Sequence, residues 1–170
     1  MRALVGIGSN VEPKRNLDSA CQRLARDAQI LDLSRPWWTP AVGGPPGSPQ
    51  FLNCVAVVET PLAPVAMRRW LRAVEHDHGR TRGDDRNAPR TLDLDVLAED
   101  AGRGHGWSFR ADLREEPYNL LPLADVMPDL RLPDGRTVRD HVRANPLPDA
   151  VPSLERPAVL VTRSAGSPGR

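Results

Sequence analysis

The chain has 170 residues, enough for one domain with a single core and short of two comfortable ones. With 23 Lys+Arg against 22 Asp+Glu the net charge is +1, so no global field draws it to nucleic acid or to an anionic membrane, and any anion site must be built locally. Lys14 is the single lysine, and the rest of the positive charge is arginine, whose planar fork suits carboxylate and phosphate oxygens.

The opening MRALVGIGSN is too short for a signal peptide and no apolar run approaches membrane-spanning length, so a soluble cytoplasmic protein is expected. Residues 3–7 (ALVGI) form a short apolar run that predicts a buried strand, with Gly6-Ile7-Gly8-Ser9-Asn10 closing it as a tight turn. That turn matches neither GxGxxG nor the Walker phosphate loop. Pro13 opens a helix on which Leu17, Ala20, Cys21, Leu24 and Ala28 recur at helical spacing. Residues 30–33 begin a second strand. Residues 41–50 (AVGGPPGSPQ) must be loop. Residues 51–60 (FLNCVAVVET) are the strongest strand in the chain, and their continuous apolar centre predicts burial on both faces.

Pro64 opens a second helix carrying Ala66, Trp70, Ala73 and Val74, which ends before Gly79. A charged loop over 80–90 leads into residues 91–97 (TLDLDVL), which alternate as a strand. Residues 118–126 predict a short helical segment, Pro133-Asp134-Gly135 a turn, and residues 137–143 a terminal helix. After Asn145 come five of the 18 prolines and little periodicity, so residues 145–170 are expected to be a tail of low order beyond a domain spanning 1–144. Cys21 and Cys54 lack metal-type spacing and read as buried thiols. Two helices among four strands predict an α+β, ferredoxin-like fold, a mainly antiparallel sheet with helices on one face.

The chemistry concentrates in Arg90-Thr91-Leu92-Asp93-Leu94-Asp95. Residues two apart on a strand share a face, so Asp93 and Asp95 project together while Leu92 and Leu94 face the core. Paired carboxylates repel unless a cation lies between them, and hard oxygen donors on a rigid strand suit Mg²⁺. Four arginines in the preceding stretch, Arg80, Arg82, Arg86 and Arg90, can hold a triphosphate by bidentate contacts. Phe51 and Asn53, on one side of their strand, offer an aromatic face beside an amide, a platform for a flat heterocycle.

VGIGSN, Trp38-Thr39-Pro40 before the Gly-Pro loop, FLNCVAVVETPLAP, Glu75, Gly79-Arg80, Arg82, APRTLDLDVL and NLLPLADVMPDLRLPDG together resemble the 6-hydroxymethyl-7,8-dihydropterin pyrophosphokinase family, from about residue 3 to 143. The resemblance implies ATP as co-substrate, two Mg²⁺, transfer of a pyrophosphoryl group to a pterin hydroxymethyl oxygen with release of AMP, small-molecule partners only, and a monomer. It implies that Asp93 and Asp95 bind the metal ions and that Arg80 and Arg90 act beside them in catalysis. Thr39, Val42, Gly43, Phe51, Asn53 and Tyr118 would hold the pterin. Arg72, Glu75, Arg80, Arg82, Arg90, Val96 and Arg110 would face the nucleotide.

Two departures stand out. Where the family carries Trp-Gly-Pro-Arg this chain has Asn87-Ala88-Pro89-Arg90. Where the family has a Pro-His pair and then a cation, the text reads RADLREEPYNLLPL, with Glu115 and Glu116 in the cation's place and Arg110 or Arg114 as substitutes. Three readings follow: an active enzyme with rearranged ATP contacts, one using another pterin or donor, and a pterin-binding relative with little catalysis.

Overall fold

The computed structural model describes residues 1–43, 47–80, 88–100, 106–159 and 161. In chain order the elements are β1 (Arg2–Ser9), α1 (Pro13–Asp27), β2 (Gln29–Leu33), β3 (Trp37–Thr39), β4 (Phe51–Glu59), α2 (Pro64–Asp77), β5 (Asp93–Asp100), β6 (Ser108–Phe109), a 3₁₀ turn (Leu113–Glu115), α3 (Pro117–Val126), α4 (Val138–Ala144) and β7 (Val151–Pro152). One antiparallel sheet runs β6-β5-β1-β4-β3-β7, with β2 also on β4. β2 and β3 share one edge of β4, separated by a break at residues 34–36. Pro36 has no N–H for a ladder, and Ser34 bridges the break: its N–H donates to the Val55 carbonyl at 3.0 Å and its Oγ accepts from Val55 N–H at 2.9 Å.

Helices cover both faces of the sheet, which corrects the expectation of helices on one face. Ala3, Val5 and Ile7 of β1 pack with Leu17, Leu24, Met67 and Leu71 of α1 and α2. Leu4, Val55 and Val57 pack with Leu120, Leu123 and Val138 of α3 and α4. The unbroken apolar centre of β4 has this cause: alternate residues enter different cores, and each needs an apolar side chain. The third and fourth helices were short in sequence and weakly periodic, so their face was not evident. α4 forms on a capping box, with Asp140 N–H on Thr137 Oγ1 (3.1 Å) and Thr137 N–H on Asp140 Oδ2 (3.2 Å).

The Gly6–Asn10 stretch is strand rather than turn through Ser9. Gly6 and Gly8 lie opposite Asp95 and Asp93 on one side, and opposite Val55 and Asn53 on the other. A register shift between Leu4 and Val5 leaves Leu97 as the extra residue of β5, a bulge just beyond the two aspartates. After Asn145, where a tail of low order was expected, Val151 and Pro152 pair with β3 as β7. No helix among the described residues is long and apolar enough to cross a membrane.

Candidate active site

The site lies on the face of the sheet that α3 covers only in part. Gly6 and Gly8 form its floor, and the absence of side chains there is what makes room. A Cβ on Gly8 would lie 2.5 Å from Asn53 Oδ1, and one on Gly6 would lie 3.0 Å from Asn119 Oδ1. Above this floor is a cavity of about 270 Å³ walled by Phe51 and Asn53 of β4, Thr39 of β3, and Tyr118 and Asn119 at the start of α3. Asn53 Nδ2 donates to Thr39 Oγ1 at 2.8 Å, and both residues are buried, so the amide is held in one orientation. Val42 also lines the cavity, although 61% exposed, and Gly43 follows it with φ 77°, in the left-handed region that favours glycine. Thus the expected pterin residues Thr39, Val42, Phe51, Asn53 and Tyr118 meet at one cavity, with Gly43 next in the chain.

Asp93 and Asp95 close one end of the cavity, while Leu92 and Leu94 are buried in the core, as strand alternation requires. Asp93 is paired with both Arg80 and Arg90. Burial pushes its carboxyl up, but the two guanidinium charges outweigh this and hold it below the usual carboxylate range. Arg80 is also paired with Glu75 of α2 and donates to the Leu92 carbonyl at 3.3 Å. Glu75 is buried, and its Oε1 also accepts from Leu94 N–H at 2.9 Å, so it fixes α2, β5 and Arg80 to one another. Arg90 is positioned by the end of β1. Asn10 Oδ1 accepts from Arg90 N–H at 2.7 Å, and Ser9 Oγ donates to the Thr91 carbonyl at 2.6 Å.

Arg110 sits between two acids. Its Nη1 lies 2.8 Å from Asp95 Oδ2, and its Nη2 pairs with Glu116. Burial disfavours the Arg110 charge, but Asp95 and Glu116 outweigh that and raise its pKa above the ordinary value. Glu116 also accepts from Asn119 Nδ2 at 3.0 Å. Burial first, and then the Glu116 charge, push the Tyr118 phenol well above its ordinary pKa. On the other side of Asp95 is a second cavity of about 240 Å³, lined by Arg68, Arg72, Val96 and Arg110. Arg72, Val96 and Arg110 therefore share a second site, whereas Glu75 lies beneath Arg80. Arg82 and Asn87 lie outside the described residues.

The model of the 7,8-dihydro-6-hydroxymethylpterin-pyrophosphokinase (HPPK) family matches residues 4–151. The chain belongs to this family. It is 37% identical over 153 residues to the 2-amino-4-hydroxy-6-hydroxymethyldihydropteridine pyrophosphokinase of Pseudomonas aeruginosa, covering 85% of this chain and 92% of that one. The enzyme of the same name from Methylorubrum extorquens is 32% identical over 149 residues, 82% of this chain and 90% of its own. Among solved structures, a triple mutant of Plasmodium falciparum HPPK-DHPS has the same fold, with a TM-score of 0.64 at 11% identity. It covers 84% of this chain, which spans 43% of that longer one.

The paired aspartates suit a hard divalent cation. Asp93 is ionised, Asp95 has a side chain 49% exposed towards the cavities, and both present oxygen donors. Among the described residues no group of three or more His, Cys, Asp or Glu side chains is placed to hold a metal ion, so a cation at the two aspartates would draw the rest of its shell from water and substrate phosphate. Sequence reasoning missed the parts that act indirectly. Glycines inside a strand signal close approach of another group, a rule that fits Gly6 and Gly8 better than a turn does. The clamp of Ser9 and Asn10 on residues 90–91 had no local signal, because its partners lie about 80 positions away.

Proposed function

We propose that the chain transfers the β,γ-pyrophosphoryl group of ATP to the hydroxymethyl oxygen of 6-hydroxymethyl-7,8-dihydropterin, in folate synthesis, releasing AMP. One observation carries this reading. Asp95 stands where a cavity walled by aromatic and amide groups meets one walled by arginines, as acceptor and donor must meet for in-line transfer. The pterin lies between Phe51 and Tyr118, and Asn53 and Thr39 read its polar edge. Tyr118 stays protonated and can donate a hydrogen bond throughout the working pH range.

Asp93 and Asp95 would hold Mg²⁺, which would supply charge neutralisation for the phosphates and acidify the acceptor hydroxyl. The acceptor oxygen bonds to the β-phosphorus as the bond from that phosphorus to the α,β-bridging oxygen breaks. The hydroxyl proton passes to solvent, and AMP leaves. Arg80 and Arg90, already beside Asp93, stabilise charge gathering on the bridging oxygen and the α-phosphate. Arg72 and Arg110 receive the nucleotide side. Glu116, which stands where a cation was expected, neutralises part of Arg110 and leaves Arg72 to carry more of the phosphate charge, Arg68 being itself paired with Glu99 at 3.2 Å.

Asp95→Asn tests the assignment. Turnover is expected to fall on the order of 10³-fold, the scale of losing a key electrostatic group, while calorimetric pterin binding persists. Retained turnover would remove Asp95 from the metal site.

A further inference from the structure

β3 is three residues long and leads into the Gly-Pro loop, yet it supplies Thr39 and introduces Val42, both on the first cavity. Held by β4 alone, so short an edge strand would open readily. A second neighbour prevents that. Val151 and Pro152 pair with Trp38 and Trp37, and Ser153 N–H donates to the Pro36 carbonyl at 2.8 Å. Beyond this contact the chain is anchored. Pro157 is buried, and Val159 and Val161 pack on the core that α1 and α2 share with the sheet. Lys14 Nζ and Glu155 Oε1, 2.8 Å apart, add an exposed pair of little energetic weight. The family match stops at residue 151, so nearly all of this segment lies outside it.

We infer that residues 151–159, with Val161, form a strap that positions β3, and through it Thr39 and the Val42 loop, for pterin binding. The inference rests on reading the first cavity as the pterin site. The strap lines neither cavity, and its contact with the wall of the first one is made through β3. Its contribution is preorganisation: wall residues already ordered in the free protein need not be ordered when ligand binds. It therefore acts on pterin affinity and leaves the arginine-lined cavity, across β5, unchanged.

The test uses full-length protein. Val159→Asp/Val161→Asp releases the anchor, and Val159→Ile/Val161→Ile is the conservative control. Ser153→Pro removes the donor to Pro36 while keeping an extended backbone, with Ser153→Ala as its control. Calorimetric pterin Kd is expected to rise ~3–10-fold in both disruptive variants and to recover in both controls. Nucleotide Kd and kcat at saturating pterin should stay within about twofold of wild type, since the Arg72–Arg110 cavity lies by β5 and β6, at the opposite edge of the sheet from β3 and β7. Hydrogen exchange at the Trp38 amide should quicken in parallel. Unchanged pterin affinity with a released Trp38 amide would overturn the inference, as would equal weakening of pterin and nucleotide. Loss of fold in both disruptive variants would also overturn it, by assigning the strap to stability. Wild-type binding decides separately on the cavity: a folded wild type that takes no pterin refutes the pterin site itself.

Discussion

Gly8→Ala puts the floor of the site to a quantitative test. The added Cβ would lie 2.5 Å from Asn53 Oδ1, where ordinary contact begins at 3.4 Å, so the amide must retreat by about 0.9 Å. Asn53 cannot retreat freely, because it is buried and its Nδ2 donates to Thr39 Oγ1 at 2.8 Å. Overpacking costs ~1–3 kcal/mol and the weakened buried hydrogen bond about 1 more, so the variant should lose ~2–4 kcal/mol. For a domain of this size that is a fall in Tm of ~4–16 °C. The displaced amide also loses its alignment with the ligand, and pterin affinity should drop about tenfold or more. Urea denaturation and calorimetry measure both effects. Asn53→Ala removes the obstructing atom, so the double variant should be less damaged than the two single changes added together, by ~1–2 kcal/mol. Strict additivity, or a Gly8→Ala protein as stable as wild type, would refute the close-approach account of this glycine.

Other outcomes follow from the charges. Glu75→Ala should cost ~3 kcal/mol, since it leaves the Leu94 N–H and Arg80 without their shared buried acceptor; chemical denaturation measures the loss. Asp93 has its carboxyl lowered in the fold, so its stabilisation is complete above the ordinary carboxylate value of ~3.9 and is lost as pH falls through the lowered one. Asp93→Asn should therefore flatten the acid limb of the stability–pH curve below about pH 4, and an unaltered limb would contradict the pairing with Arg80 and Arg90. Tyr118 is the single tyrosine, so tyrosinate absorbance reports it alone, and its midpoint should lie above the ordinary ~10. Glu116→Gln, which lowers that burden of negative charge, should bring the midpoint back towards the ordinary value.

Periodicity made most of the frame readable. Leu17, Ala20, Cys21 and Leu24 on α1, the apolar run of β4 and the alternation of Asp93 to Asp95 on β5 each carry a local pattern that tertiary structure preserved. The paired aspartates were legible because a strand decides side-chain direction from spacing alone. Features that depend on distant partners were not. The two-sided helix packing needs α3 and α4 located, and α3 carries Pro122 and little amphipathic contrast. The Arg110 bridge between Asp95 and Glu116 joins residues whose relative direction only the turn at 113–115 decides. The segment after Asn145 is rich in proline and lacks periodicity, and its contacts with β3 follow from the free edge it meets rather than from propensity.

On the proposed function, the two cavities meeting at Asp95 carry donor and acceptor of one pyrophosphoryl transfer. Purified protein incubated with 6-hydroxymethyl-7,8-dihydropterin, ATP and Mg²⁺ should form AMP and the pterin diphosphate in equal amounts, with neither formed when the cation is chelated. A folded protein that binds the pterin yet yields no AMP, or that yields ADP instead, would contradict the account.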